Sequence, residues 1–218
     1  MLKLKFPSLV LRKIPMDKRY IYPSYYTFKQ VFIKNSNDID PQPGYDGDHK
    51  LCPLYKNHLE ALEFMLDTSW VLTKDTPLDA HRILTKGIGF FEDQGMSGQY
   101  RKTDVYIGRS QCPNPYMIPN LMNSWFEITS KLINQSSLSP TEIAWISHHM
   151  FEVIHPFIDG NGRTGRLLLN KIITQLGAEP IVVLFDERWE YYDSIDFFKR
   201  HHYQDGVFVN LEEFIKGA

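Results

Sequence analysis

Apolar positions recur at helical spacing along most of the chain, and strand-like alternation is confined to one short stretch. The alternating stretch, 104–107, lies between a glycine-containing turn and a proline-rich segment and therefore indicates one β-hairpin. The pattern as a whole predicts a domain dominated by helices with a single hairpin. The predicted helices cover 54–72, 78–88, 117–133, 141–154, 163–176, 187–203 and 210–216.

Two of these helices flank one glycine-rich segment, and the second of them is predicted to lie at the centre of the domain. The sequence Ser139-Pro140-Thr141-Glu142 is a capping box with proline at the first helical position, and it marks the start of the helix over 141–154. The helix over 163–176 is apolar on almost every side, so it should be buried on almost every side. The segment that joins the two helices is too rich in glycine and asparagine to be helical.

The first 50 residues differ in composition from the rest of the chain, and we predict an N-terminal arm and loop packed on a domain over 51–218. Residues 1–35 carry eight lysines and arginines against one acid, together with many aromatic rings. Such a stretch can bind single-stranded nucleic acid, but an arm that packs its rings on the domain is the favoured interpretation. Residues 36–50 are predicted to be a loop, whose aspartates lack the spacing of a calcium-binding loop.

Composition limits the classes of protein to which the chain can belong. A length of 218 residues with 43% apolar and 23% charged residues is typical of one globular domain. A net charge of −2 gives no reason to expect a nucleic-acid partner. No apolar run approaches the roughly 20 residues of a membrane span, and two cysteines do not make a disulfide framework. We expect a cytoplasmic protein, with delivery into another cell by a dedicated secretion system as the alternative.

The segment between the two central helices has the features of an anion site. Gly160 and Gly162 adopt positive φ angles at little cost, and Asn161 tolerates the left-handed region better than most residues. A bend of this kind directs successive backbone N–H groups inward, and the following helix adds the positive end of its dipole. Arg163 and Arg166 lie three residues apart on the first turn of that helix, where both can reach phosphate. The sequence therefore predicts a phosphate site.

Two further side chains border the glycine turn and have the chemistry of catalytic groups. Asp159 immediately precedes the turn, and a single carboxylate beside phosphate oxygens is the usual protein contribution to a Mg²⁺ site. His155 ends the preceding helix, because Pro156 disfavours the helical conformation for the residue before it. An imidazole at that position can accept a proton from an incoming hydroxyl near neutral pH.

The run from His155 to Arg166 resembles the signature of Fic-domain proteins, His-Pro-Phe-x-Asp/Glu-Gly-Asn-Gly-Arg-x-x-Arg, at every specified position. The resemblance implies an all-α, Fic-type helical bundle around a central helical pair joined by this loop, with a β-hairpin flap. It also implies a protein adenylyltransferase, which transfers AMP from ATP-Mg²⁺ to a serine, threonine or tyrosine hydroxyl of a target protein. The implied roles are general base for His155, metal ligand for Asp159 and ATP-phosphate binding for Gly160, Asn161, Gly162, Arg163 and Arg166.

The predicted hairpin has two interpretations. A short hairpin on a helical domain leaves an unpaired strand edge. The hairpin is either a surface loop without a function or a site where an extended peptide binds by β-augmentation. The resemblance favours the second interpretation, because Fic proteins carry a flap of this kind over the active site. The residues implied to contact the target backbone are Val105, Tyr106, Ile107 and Gly108.

Other chemistries fit the same loop. In Fic relatives of the Doc type, a lysine replaces the second glycine region and the γ-phosphoryl group is transferred, whereas Gly162 and Arg163 keep the form that accompanies AMP transfer. A Doc-like phosphotransferase and the transfer of UMP or GMP stay open as alternatives. A further alternative is a non-catalytic module that uses the nucleotide pocket or the flap to bind a partner.

The histidines before the signature raise the question of a metal site. Glu152 and His155 have the Glu-x-x-His spacing of di-iron helical bundles, but those sites need a second such pair and the chain has none. His148 and His149 are therefore interpreted as packing or hydrogen-bonded residues.

Inhibition in cis is not expected. Many Fic proteins carry an inhibitory helix with the motif Ser/Thr-x-x-x-Glu, whose glutamate pairs with the second arginine of the signature. No glutamate of this chain has a serine or threonine four residues upstream. We therefore predict a protein that is either constitutively competent or restrained by a separate antitoxin-like inhibitor.

Overall fold

The computed structural model describes residues 25–40, 53–108 and 110–211, which form eight helices and two β-hairpins. The prediction of a mostly helical domain with a hairpin is confirmed. The helices are α1 (Tyr25–Ile39), α2 (Pro53–Leu66), α3 (Thr76–Thr85), α4 (Gly89–Glu92), α5 (Ile118–Gln135), α6 (Pro140–Ile154), α7 (Asn161–Gln175) and α8 (Arg188–His202). The strands pair antiparallel, β1 (Tyr106–Ile107) with β2 (Ser110–Gln111) and β3 (Tyr203–Gln204) with β4 (Val207–Phe208).

Helices α6 and α7 form the centre of the molecule, as the apolar pattern predicted for α7 and as the resemblance implied for the pair. α7 is buried continuously over 163–173 and α6 over 143–154. α5 and α8 cover α6, while α2 and α3 cover α7. Each large apolar side chain buried in this way stabilises the fold by roughly 1.5–3 kcal/mol relative to exposure. Within the described ranges, no helix has the length and apolar content needed to cross a bilayer.

Helix α1 corrects the prediction of a loop over 36–50, because it continues four residues into that range. Ser36 and Asn37 are buried near its C-terminal end and hydrogen bond with side chains of other helices. These tertiary contacts outweigh the modest helix propensity of the local sequence. Phe28 and Phe32 of the same helix are buried in the core. The predicted boundary between arm and domain lies outside the described residues.

Two predicted helices end earlier than expected. After α2, the Asp67 carboxylate accepts a hydrogen bond from the Ser69 N–H, which makes a turn. The Lys171 ammonium donates to the carbonyls of Asp67 and Trp70 at 2.7 Å each, so a residue of α7 holds that turn in place. α3 stops three residues before its predicted end, and the chain turns at Gly87, whose φ is +67°.

The hairpin of β3 and β4 was not predicted. Asp205 and Gly206 connect its strands with φ angles of 49° and 85°, as a two-residue type I′ turn requires. The Asp-Gly pair is a hairpin signal, but strands of two residues are too short for apolar alternation to appear. The predicted helix over 210–216 lies outside the described residues except for its first two positions.

Candidate active site

His155 is held in a left-handed conformation at the end of α6. The capping box predicted at the start of this helix is present, since the Ser139 hydroxyl accepts from the Glu142 N–H and the Glu142 carboxylate accepts from the Ser139 N–H. At the other end, His155 takes φ 51° and ψ 61°. The left-handed region costs a residue with a β-carbon about 1–2 kcal/mol, and Pro156 disfavours a continued helix. The conformation fixes the direction in which the imidazole leaves the chain.

The imidazole of His155 is neutral in this environment. Burial lowers the pKa of His155 to about 4, and the carbonyl of Glu152 beside the ring opposes that effect only in part. Nδ1 is buried, whereas the residue as a whole is partly exposed, which leaves Nε2 as the candidate nitrogen for proton transfer. A neutral imidazole has the free lone pair that a proton acceptor needs, while the lowered pKa makes it a weaker base than an unperturbed histidine.

The loop after His155 is organised by Asn161, the first residue of α7. The Asn161 side chain accepts a hydrogen bond from the Phe157 N–H (2.8 Å) and donates one to the Phe157 carbonyl (2.9 Å). Gly160 supplies the bend, with φ 77°, and its carbonyl accepts a hydrogen bond from the Thr164 N–H. Gly162 was predicted to share this bend, but α7 begins at Asn161 and Gly162 lies in its first turn without a positive φ. Asn161 therefore shapes the predicted phosphate cradle through its side chain.

His81 of α3 supports this loop and was not predicted as a site residue. Its buried ring stacks on Phe157, with ring centroids 3.9 Å apart. Nδ1 accepts a hydrogen bond from the Gly98 N–H (3.0 Å), so Nε2 carries the proton and donates it to the Asp159 carbonyl (3.0 Å). Burial lowers the pKa of His81 to about 4, which keeps this arrangement neutral. No sequence signal distinguished His81 from other polar positions of a helix.

Arg163 presents buried hydrogen-bond donors on the first turn of α7. Its Nε lies 3.6 Å from Asp40 Oδ2, and its Nη2 lies 3.7 Å from Asp159 Oδ1. These separations are too long for hydrogen bonds, and neither nitrogen makes one with the described part of the chain. Buried donors without an acceptor are unfavourable, and phosphate oxygens would satisfy them. The predicted role of Arg163 in phosphate binding stays a prediction, which this geometry supports.

The guanidinium of Arg166 is already engaged by other side chains. Its Nε donates to Ser36 Oγ (2.9 Å) and its Nη2 to the Ser36 carbonyl (2.8 Å), while Nη1 is 3.4 Å from the Tyr191 hydroxyl. Nη1 also lies 3.0 Å from the position that a Cβ on Gly162 would occupy. Arg166 thus joins α1 and α8 to the glycine turn, and its predicted contact with phosphate rests on Nη1 alone.

Asp40 is a charged group at this site that was not predicted from the sequence. Its Oδ2, besides facing Arg163, lies 3.4 Å from the position of a Cβ on Gly162. Asp40 follows Ser36 by four residues, which is the spacing of the inhibitory motif with aspartate in place of glutamate. The motif as stated above requires a glutamate, so Asp40 did not match it. A carboxylate thus lies at the edge of the predicted phosphate site.

Asp159 fits the single carboxylate that Mg²⁺ takes from a protein beside a nucleotide. Its side chain is 36% exposed, and its Oδ1 accepts a hydrogen bond from the Gly160 N–H. In the ranges that the structure covers, no group of three or more histidine, cysteine, aspartate or glutamate residues could hold a metal. A Mg²⁺ ion at Asp159 would therefore take most of its ligands from water and phosphate, which is its common mode of binding.

Glu152, the first residue of the Glu-x-x-His pair, serves internal packing. The Glu152 carboxylate is buried 3.9 Å from His148 Nε2, next to Gly165 rather than beside His155. His148 Nε2 hydrogen bonds with the Tyr191 hydroxyl at 3.0 Å. Burial raises the pKa of Glu152 to about 7. His148 and its neighbour in sequence are both buried and hydrogen-bonded, as the sequence analysis interpreted them.

The flap, defined as β1, β2 and the turn between them, carries the residues predicted to dock a target. Tyr106 and Ile107 form β1, and they are 60% and 50% exposed. The Val105 carbonyl accepts a hydrogen bond from the Cys112 N–H, which closes the hairpin below the strands. Gly108 takes φ 59° in the connecting turn. Tyr106, Ile107 and Gly108 thus lie on an exposed strand and turn, whereas Val105 is half-buried and precedes the strand.

Residues 71–173 match the model of the Fic/DOC family. The chain is 34% identical over 142 residues to a protein adenylyltransferase Fic from Nematostella vectensis, an alignment that covers 63% of this chain and 32% of that protein. It is 40% identical over 101 residues to protein adenylyltransferase fic-1 from Caenorhabditis elegans, covering 45% of this chain and 19% of that protein. The chain therefore spans about a third or less of the length of these curated relatives.

Solved structures show the same fold. A Fic domain containing signaling protein from Bacteroides thetaiotaomicron superposes with a TM-score of 0.71 at 22% identity, covering 97% of this chain and 90% of that one. Fic-1 from C. elegans superposes with a TM-score of 0.63, also at 22% identity, covering 88% of this chain and 63% of that one. The likeness therefore extends over almost the whole chain, well beyond the signature loop.

Proposed function

This chain carries a Fic/DOC domain over residues 71–173, and from that premise we propose that it transfers AMP from ATP to a hydroxyl group of a target protein. The observation that carries the proposal is the placement of the neutral imidazole of His155 and the unsatisfied donors of Arg163 on either side of the glycine bend. The first group can accept a proton and the second can hold an anion. The names of the relatives, protein adenylyltransferase Fic, agree with this chemistry.

In the proposed reaction, ATP lies with its outer phosphates against the backbone of Gly160 and Gly162 and the side chain of Arg163. The target hydroxyl gives its proton to Nε2 of His155 as its oxygen attacks the α-phosphorus of ATP. The new O–P bond forms while the bond between the α-phosphorus and the bridging oxygen breaks, and pyrophosphate leaves. Asp159 would hold Mg²⁺, whose chemistry is to neutralise phosphate charge. Positioning and charge neutralisation supply most of the acceleration in reactions of this class.

The target is proposed to dock on the flap through its backbone. Exposed main-chain groups of β1 can add an extended segment as a further strand, which recognises a backbone with little regard to its sequence. The exposure of Tyr106 and Ile107 supports this, because neither side chain is needed in the core. A hydroxyl on the docked segment would then be presented to His155.

The proposal is tested by incubating the protein with a total protein extract and ATP that is labelled at either the α- or the γ-phosphorus. Incorporation of the α label into protein, with none of the γ label, is the expected result. Incorporation of the γ label instead would indicate a Doc-like phosphotransferase. If neither label is incorporated although an ATP analogue binds, the proposal fails in favour of a binding module. The same assay with α-labelled UTP and GTP determines the nucleotide preference.

A further inference from the structure

One buried guanidinium connects the flap to the backbone of His155, where the loop between α6 and α7 begins. Arg101 precedes β1 and is 5% exposed. Its Nε donates to the His155 carbonyl (2.8 Å), its Nη1 to the Thr103 carbonyl (2.9 Å) and its Nη2 to the Pro113 carbonyl (2.6 Å). Its backbone N–H donates to the Pro156 carbonyl (2.9 Å). Since Thr103 precedes β1 and Pro113 follows β2, Arg101 holds both ends of the flap and the carbonyl of the catalytic histidine at the same time.

The bonding pattern indicates that the shape of this side chain matters more than its charge. All three hydrogen bonds of the guanidinium go to backbone carbonyls. Taking a cation out of water costs several kcal/mol, and carbonyl dipoles offset that less well than a carboxylate would. What an arginine offers here is a planar fork whose donors reach three acceptors in fixed directions, which a lysine ammonium on a flexible stem cannot reproduce.

We infer that Arg101 is a positioning residue, which sets the distance and the angle between a target docked on the flap and the imidazole of His155. This inference rests on the proposed function. A segment that pairs with β1 takes its position from β1, and Arg101 fixes β1 relative to His155 through Thr103. Reactions of this kind lose about 100-fold in rate when the reacting groups are misplaced by about 1 Å. Loosening Arg101 should therefore slow transfer without affecting the nucleotide site.

Three variants separate shape from charge. Arg101→Lys keeps the charge but loses the fork, Arg101→Gln loses both, and Lys102→Gln removes a charge from the exposed neighbour as a matched control. Hydrogen exchange at the Cys112 amide, which is bonded to the Val105 carbonyl, reports whether the flap is held. A non-hydrolysable ATP analogue reports the nucleotide site, and transfer of the α label of ATP to a total protein extract reports the reaction.

Both Arg101 variants are expected to exchange the Cys112 amide at least tenfold faster than the parent and to transfer label about 100-fold more slowly. The ATP analogue should bind within twofold of the parent affinity, and Lys102→Gln should match the parent throughout. The inference is overturned if Arg101→Lys matches the parent in exchange and transfer. If Arg101→Gln does not fold, as judged by circular dichroism, the inference is tested with Arg101→Lys alone. If the parent protein transfers no α label, the proposed function is wrong. The hydrogen-exchange data then still show whether Arg101 holds the flap.

Discussion

Asp40 and Arg163 form an ion pair at the edge of the proposed phosphate site, with Oδ2 of the aspartate 3.6 Å from Nε of the arginine. Four residues earlier, Ser36 accepts two hydrogen bonds from Arg166. Both signature arginines are therefore engaged by the same short segment at the end of α1. Phosphates that bind at the glycine turn would have to compete with the carboxylate of Asp40 for Arg163.

Asp40→Asn should raise the affinity for ATP by about threefold to tenfold, because partly exposed ion pairs contribute up to about 1 kcal/mol and the variant also removes a like charge from the phosphates. The side chain of Asp40 is 35% exposed, so a larger effect is not expected. Calorimetry with a non-hydrolysable ATP analogue at low ionic strength measures the change. Asp38→Asn is the matched control, since the carboxylate of Asp38 pairs with Lys34 instead.

An unchanged affinity in Asp40→Asn would show that the carboxylate moves aside at no cost. That result would favour the prediction that the protein is not inhibited in cis. A gain in affinity accompanied by faster transfer of the α label would show that the end of α1 restrains the proposed reaction in cis.

Replacing His155 should separate activity from stability. His155→Ala and His155→Gly should each lower transfer of the α label by about 10²–10⁴-fold, which is the usual contribution of a general base, and leave binding of the ATP analogue within twofold.

The glycine variant should also be more stable than the alanine variant by about 1 kcal/mol, because position 155 has φ 51° and glycine adopts that region without strain. Urea unfolding measures the difference. Equal stability of the two variants would mean that the left-handed conformation is not strained.

Gly165→Ala should destabilise the protein by about 2 kcal/mol or more, since a methyl group there must displace a buried carboxylate. A Cβ on Gly165 would overlap Oε1 of Glu152 and lie 3.0 Å from Cε1 of His148. Gly89→Ala is the control, because Gly89 has no positive φ and a Cβ there would lie 3.5 Å from Asp93. Thermal unfolding compares the variants with the parent. A Gly165→Ala variant with the parent's midpoint would show that Glu152 has room to move.

The centre of the candidate site could be predicted from the sequence because its parts are adjacent in the chain. His155, Gly160 and Arg163 follow one another within a single helix–turn–helix segment, so local conformational preferences already bring them together. Asp40 and Arg101 reach the same site from segments far upstream. Their roles arise from tertiary contacts, which periodicity and turn chemistry do not encode.

The fold shows the same distinction between features set by local sequence and features set by tertiary contacts. The apolar periodicity that predicted α6 and α7 reflects burial, which is a property of each helix as a whole. The end of α2 was predicted wrongly because Lys171, more than 100 residues downstream, binds the carbonyls of Asp67 and Trp70 in the turn that follows it. The helical end of α1 was missed for a similar reason, since Ser36 is held by Arg166.

Glu152→Gln should change how the stability of the protein depends on pH. Burial raises the pKa of Glu152 from 4.5 to about 7, with Arg166 opposing the shift and Asp40 adding to it. The folded state therefore holds this proton more tightly than the unfolded state. The resulting stabilisation is complete below pH 4.5 and is lost as the pH rises through 7.

The glutamine variant stays neutral, so its free energy of unfolding relative to that of the parent should rise by roughly 3 kcal/mol between pH 4.5 and pH 8. Urea unfolding of both proteins across this range measures the difference. The values at pH 4.5 serve as the internal reference. A difference that does not change with pH would mean that the Glu152 carboxyl does not change its ionisation on folding, and that Arg166 offsets its burial completely.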